Sequence, residues 1–102
     1  MSAAVTRFCF VRLRDDDAAR RDALARELAD ELTRLCAPHP VWVGVPGDES
    51  AARWDLAITI ALPELAAWTS LAGEPTFAAR VRRLSDEAEV VKAWTFAAPT
   101  SG

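Results

Sequence analysis

The chain opens on Val-Thr-Arg-Phe-Cys-Phe-Val-Arg-Leu-Arg from Val5 to Arg14, with Arg7, Cys9, Val11 and Leu13 on one parity and Thr6, Phe8, Phe10 and Arg12 on the other. Such a β-branched and aromatic run predicts a strand. Because both parities are largely apolar, it belongs in the middle of a sheet covered on both faces. Asp15, Asp16 and Asp17 follow, residue types that cap a helix and place negative charge at its positive end. Leu24, Leu28, Leu32 and Leu35 then recur at spacings of four, four and three, an apolar stripe that predicts a helix over Ala18 to Leu35. Pro38 and Pro40 end it, since proline cannot continue a helix and restricts the residue before it.

Two further strands, Val41 to Val45 and Trp54 to Leu62, flank a polar turn that begins Pro46-Gly47-Asp48-Glu49-Ser50 and make a hairpin. The second of them places Leu56, Ile58, Ile60 and Leu62 on one parity. Pro63 suits the first position of a helix whose inner face is Leu65, Trp68 and Leu71. Gly73-Glu74-Pro75 breaks that helix, and Thr76 to Leu84 resumes it with Phe77, Val81 and Leu84 inward and Arg80, Arg82 and Arg83 outward. Val90 to Phe96 is the last strand, and Ala97 to Gly102 a mobile tail. The order strand, helix, strand, strand, helix, strand is the split βαβ arrangement. It implies a ferredoxin-like α+β sandwich, a four-stranded antiparallel sheet with two helices on one face. The other face is bare and apolar, more than a soluble monomer leaves in water. Two such sheets packed face to face remove the difficulty, and a homodimer is expected.

At 102 residues the chain holds one domain, spanning 1–102. Hydrophobic residues make up 51% and charged residues 26%, an ordinary globular balance. A net charge of -3 gives no steering toward phosphate backbones or anionic lipid, so neither nucleic acid nor membrane is expected as a partner. The opening residues carry no apolar leader, and a cytoplasmic protein is expected. Cys9 and Cys36 have no metal-ligand spacing and read as buried free thiols. Tyr, Asn and Gln are absent, and His39 is the one histidine. One imidazole cannot build a histidine metal site, so no metal is expected, and no cofactor either. Acid-base chemistry near neutral pH would rest on Asp, Glu, water beside Arg, Cys or His39. No catalytic residue is assigned.

The opening strand running into acidic residues, the strand Trp-Asp-Leu-Ala-Ile-Thr-Ile-Ala-Leu, the helix-breaking Gly-Glu-Pro-Thr-Phe and the closing Val-Val-Lys-Ala-Trp-Thr-Phe together resemble the stress-responsive dimeric α/β-barrel (Dabb) family. Its members are ferredoxin-like chains whose sheets pair into a closed dimeric α+β barrel. They include plant polyketide cyclases and small stress-induced proteins, and related dimeric barrels include cofactor-free monooxygenases. The family's motif has a His in the first strand and another two residues after the helix-breaking proline. Here those positions hold Arg7 and Phe77, and Leu71 stands near the position of an assisting Tyr. The cyclase mechanism therefore does not carry over residue by residue. The monooxygenase relatives commonly use Asn, Trp and His, and this chain has no Asn.

The resemblance implies a small apolar or aromatic molecule bound between the paired sheets, with contacts from Arg7, Cys9, Val11, Trp68, Leu71, Phe77 and Trp94. Trp42 would cross into the partner subunit. Two alternatives stay open. One is a cofactor-independent enzyme, polyketide-cyclase-like or monooxygenase-like, in which Arg7 holds an oxyanion and Glu74 or a water is the base. The other is a purely structural homodimer in which Trp68, Leu71, Phe77 and Trp94 are simply packing. Arg7, placed by the resemblance in the barrel interior, takes either a ligand oxygen or a rim carboxylate such as Glu49 or Asp55. Cys9 has no cation but Arg7 nearby to make it a nucleophile. Arg80, Arg82 and Arg83 read as a solvated face balanced by Asp86, Glu87 and Glu89.

Overall fold

The computed structural model describes residues 3–14 and 18–99. The acidic cap expected at Asp15, Asp16 and Asp17 lies outside the described residues, as does the end of the expected tail, 100–102. The elements run β1 (Val5–Leu13), α1 (Ala18–Leu35), β2 (Val41–Gly44), one 3-10 turn (Glu49–Ala51), β3 (Leu56–Leu62), α2 (Leu65–Ala72), α3 (Pro75–Glu87) and β4 (Ala88–Ala97). The four strands make one antiparallel sheet in the order β2-β3-β1-β4, the ferredoxin-like α+β arrangement. No helix among the described residues is long and apolar enough to cross a membrane.

The second helix is divided at Gly73-Glu74-Pro75, where the sequence predicts a break, so three helical segments stand on the sheet. Pro75 has no N–H to continue α2 and forces the residue before it out of the helical region. Glu74 is accordingly extended, at φ -71 and ψ 121, and α3 starts afresh with Pro75 in its first turn. Pro63 does not open α2; extended Glu64 at φ -163 separates it from Leu65, the first helical residue. Leu65 itself is 58% exposed, so the inner face of α2 is Ala67, Trp68 and Leu71 rather than the expected triplet. At the other end of the chain β4 continues through Ala97, and the Ala98 N–H donates to the Ala4 carbonyl at 2.8 Å. The start of the expected mobile tail is thus tied to the strand beside it.

The cross-strand register sorts the sheet into two unlike faces. Arg7 sits between Ile60 and Thr95, and Cys9 between Ile58 and Ala93. Because strand side chains alternate, these rows share a face with Val5, Val11, Leu56 and Leu62. That face meets the helices through Leu28, Leu32, Leu71, Phe77 and Leu84, and together they form the buried core. The opposite rows place Phe8 between Thr59 and Trp94, and Phe10 between Ala57 and Lys92. No helix covers them. Phe8 meets Phe96 edge to face at 5.6 Å, while Phe10 lies 5.7 Å from Trp54 and 5.9 Å from Trp94. Trp42 lies along β2 across Gly44, where any Cβ would overlap the indole ring. Trp42, Trp94 and Phe96 remain 57%, 45% and 61% exposed.

Candidate functional site

The helical face is not filled completely. A cavity of about 310 Å³ remains between the sheet and the helices, walled by Leu28 and Leu32 of α1, Ile58 and Ile60 of β3, Trp68 of α2, and Phe77 and Leu84 of α3. Arg7 and Cys9 enter it from the central strand and Arg80 from α3. Among the described residues no Asp, Glu or His lines it.

Arg7 is held by two contacts. Its Nη1 donates to Thr95 Oγ1, its neighbour across β1 and β4, at 3.1 Å. Its guanidinium carbon lies 4.5 Å from the centre of the Trp68 ring, a cation–π contact of about 1–2 kcal/mol when partly desolvated. Trp68 is itself held edge to face against Phe77, at 6.0 Å. Among the described residues no carboxylate pairs with Arg7. Of the rim partners expected for it, Asp55 Oδ2 accepts the Leu13 N–H at 2.7 Å where the β1 and β4 register shifts, and Glu49 is exposed on the 3-10 turn.

Four expectations are corrected by this geometry. Arg7, Cys9 and Val11 do not face a space between paired sheets, because the parity that carries them is the one the helices cover. Val11 is wholly buried in the core and does not line the cavity. Trp94 stands on the open face with Phe8 and Phe10, one residue out of register with the cavity rows. Leu71 and Glu74 line a separate groove with Cys36 and His39, so Glu74 is no base beside Arg7. Arg7, Cys9, Trp68 and Phe77 line the one cavity together. Trp42 lies on the open face, where contact with a second subunit would occur.

Arg80, expected to point outward, is 5% exposed. Its Nε donates to Glu31 Oε2 of α1 at 2.8 Å, while Nη1 and Nη2 are out of water with no hydrogen-bond partner. Positions 77, 80 and 84 fall on one helical stripe, but so do 77, 81 and 84, so spacing alone does not choose between Arg80 and Val81. Arg83 does face outward and pairs with Glu27 and Glu87, both at 3.5 Å.

The thiols are poor nucleophiles. Burial raises the Cys9 pKa from its ordinary value of 9.0, and the Arg7 charge only partly offsets it. Burial alone pushes Cys36 up to about 11. Among the described residues no group of three or more His, Cys, Asp or Glu could hold a metal ion.

No family model matches the chain, and no curated protein does. The hydroxynitrile lyase from Passiflora edulis superposes with a TM-score of 0.76 at 10% identity, over 100% of this chain and 99% of that one. A dimeric ferredoxin-like protein of unknown function from Thermobifida fusca gives 0.74 at 16% identity, over 96% and 93%. A Dabb family protein with a ferredoxin-like fold from Mesorhizobium loti gives 0.67 at 16% identity, over 98% and 100%. At these identities the likeness is one of fold.

Proposed function

We propose that this chain binds a small, flat, largely apolar molecule in the cavity between its sheet and its helices, with Arg7 taking an oxygen of that molecule, and that it works as a homodimer. The observation that carries the reading is the state of Arg7, a guanidinium in an apolar wall with one neutral hydrogen bond, an aromatic face and, among the described residues, no carboxylate partner. Arg7 is half-buried, and drawing an unpaired charge even partly out of water costs free energy. Thr95 returns about 1 kcal/mol and Trp68 about 1–2. The remainder is supplied by an oxygen acceptor when the cavity is filled.

The cavity of about 310 Å³ lies at the small end of ligand pockets, which suits one or two fused rings and not a nucleotide. Binding is favoured over catalysis because, among the described residues, the lining has no carboxylate or imidazole and burial raises the pKa of its thiol, Cys9. The homodimer rests on the aromatic open face and on the dimeric state of neighbours of this fold.

Titration of the protein with 2-acetonaphthone, a neutral two-ring ketone, tests the cavity. Arg7→Leu is expected to weaken binding about tenfold, the worth of one hydrogen bond to a charged donor. Equal affinity in Arg7→Leu and the parent would remove Arg7 from the reading.

A further inference from the structure

Arg80 brings a second guanidinium to the same wall, this one buried where Arg7 is half-buried, and its partners account for only part of it. Glu31 takes the Nε edge. The terminal edge, Nη1 and Nη2, is the one that matches the two oxygens of a carboxylate in a fork, and both of its nitrogens are buried and unpartnered. Donors left in that condition are rare in folded proteins and call for a missing partner. The neighbouring side chains of the cavity supply none, for they are aliphatic or aromatic apart from Arg7, Cys9 and the exposed Arg82.

The charge balance points the same way. Arg82 also borders the cavity but is exposed to water; of the charges drawn at least partly out of water, Arg7 and Arg80 bring two positive ones to the wall, and Glu31, paired with Arg80, returns one. The filled cavity is therefore short of one negative charge. A neutral occupant leaves that charge standing in an apolar wall, and a dianion overshoots it.

We infer that the ligand of this cavity is an organic monoanion, an aromatic or alicyclic carboxylic acid whose carboxylate is gripped by the Nη pair of Arg80 while its ring lies among Leu28, Leu32, Ile58, Ile60 and Phe77. The inference rests on the cavity reading above and goes beyond it by naming the ligand class and the residue that selects it. Arg7 then serves a second oxygen or the ring edge.

The test uses two molecules of the same shape, 2-naphthoate and 2-acetonaphthone, titrated into the parent and into Arg80→Met, which keeps an unbranched apolar stem in the wall. The parent is expected to prefer the carboxylate by about tenfold or more, as hydrogen bonds between charged groups require. Arg80→Met is expected to lose that preference and to keep its ketone affinity within about twofold. Should that variant not fold, the arginine side-chain proton–nitrogen spectrum of the parent decides the matter. The Arg80 terminal signals are expected to shift and slow on saturation with 2-naphthoate and to stay in place with the ketone. Equal binding of the two molecules, or a preference that survives in Arg80→Met, overturns the carboxylate assignment and leaves the cavity reading intact. Binding of neither molecule overturns both.

Discussion

Cys36 shows how far burial alone can shape the response of this chain to pH. It is fully buried behind the end of α1, and its thiol is raised from 9.0 to about 11. Unfolding would let it ionise near its ordinary value. A folded-state pKa above the unfolded one contributes stability that is whole below pH 9 and lost as the pH rises toward 11. With no tyrosine and a single lysine in the chain, few other groups titrate in that window. Urea unfolding is expected to show stability falling by on the order of 1–2 kcal/mol across it. Cys36→Ala should keep only the part that belongs to Cys9. An unchanged alkaline slope in Cys36→Ala would show that the thiol is not the group responsible.

Between elements, α1 is tied to α3 by Glu31 with Arg80 and by Glu27 with Arg83. Burial tends to raise the Glu31 carboxyl, but the hydrogen bond and charge of Arg80, with smaller help from Glu27 and Arg83, bring it below its ordinary 4.5. A lowered carboxyl contributes stability that is present above that ordinary value and is lost as the pH falls through the lowered one. Glu31→Gln keeps an acceptor for Arg80 Nε and cannot titrate. Its acid unfolding curve is expected to be flatter than the parent's below pH 4.5, and identical acid slopes would argue against the tie. The same pair of helices shows what the sequence could and could not convey. The strands and α1 were legible because alternation and leucine spacing are local patterns. The facing of α3 was not, because Val81 looked like the apolar member of the stripe while the helix turns Arg80 inward, and only the acid on α1, 49 positions away, makes that turn affordable. Likewise the two parities of β1 were plain, but both are apolar, so local pattern could not say which one the helices cover. That choice is made by the aliphatic rows of β3 and by Leu28 and Leu32 above them, and it carried Trp94 away from the site.

At the scale of the whole molecule, the sheet is a partition with an aliphatic side under the helices and an aromatic side with no cover. Removing one large aromatic side chain from water is worth about 1.5–3 kcal/mol, so the cluster of Phe8, Phe10, Trp94 and Phe96 is ample to hold two copies together. Sedimentation of the parent is expected to give a dimer. Trp94→Glu, which buries a charge at the centre of that face, should weaken it at least about a hundredfold, and Trp42→Ala at the sheet edge should weaken it less. A dimer of undiminished affinity in Trp94→Glu would place the contact elsewhere. The distribution of tryptophans across the partition has one more consequence. With no tyrosine in the chain, near-ultraviolet emission comes from indole alone. Trp68 lies against Arg7 in the cavity, while Trp54 and Trp94 lie against Phe10 on the other side and Trp42 lies on that same side across Gly44. The molecule thus carries a separate optical reporter for each side of its sheet: quenching that disappears in Trp68→Phe reads the cavity, and a spectral shift that survives in Trp68→Phe and follows protein concentration reads assembly.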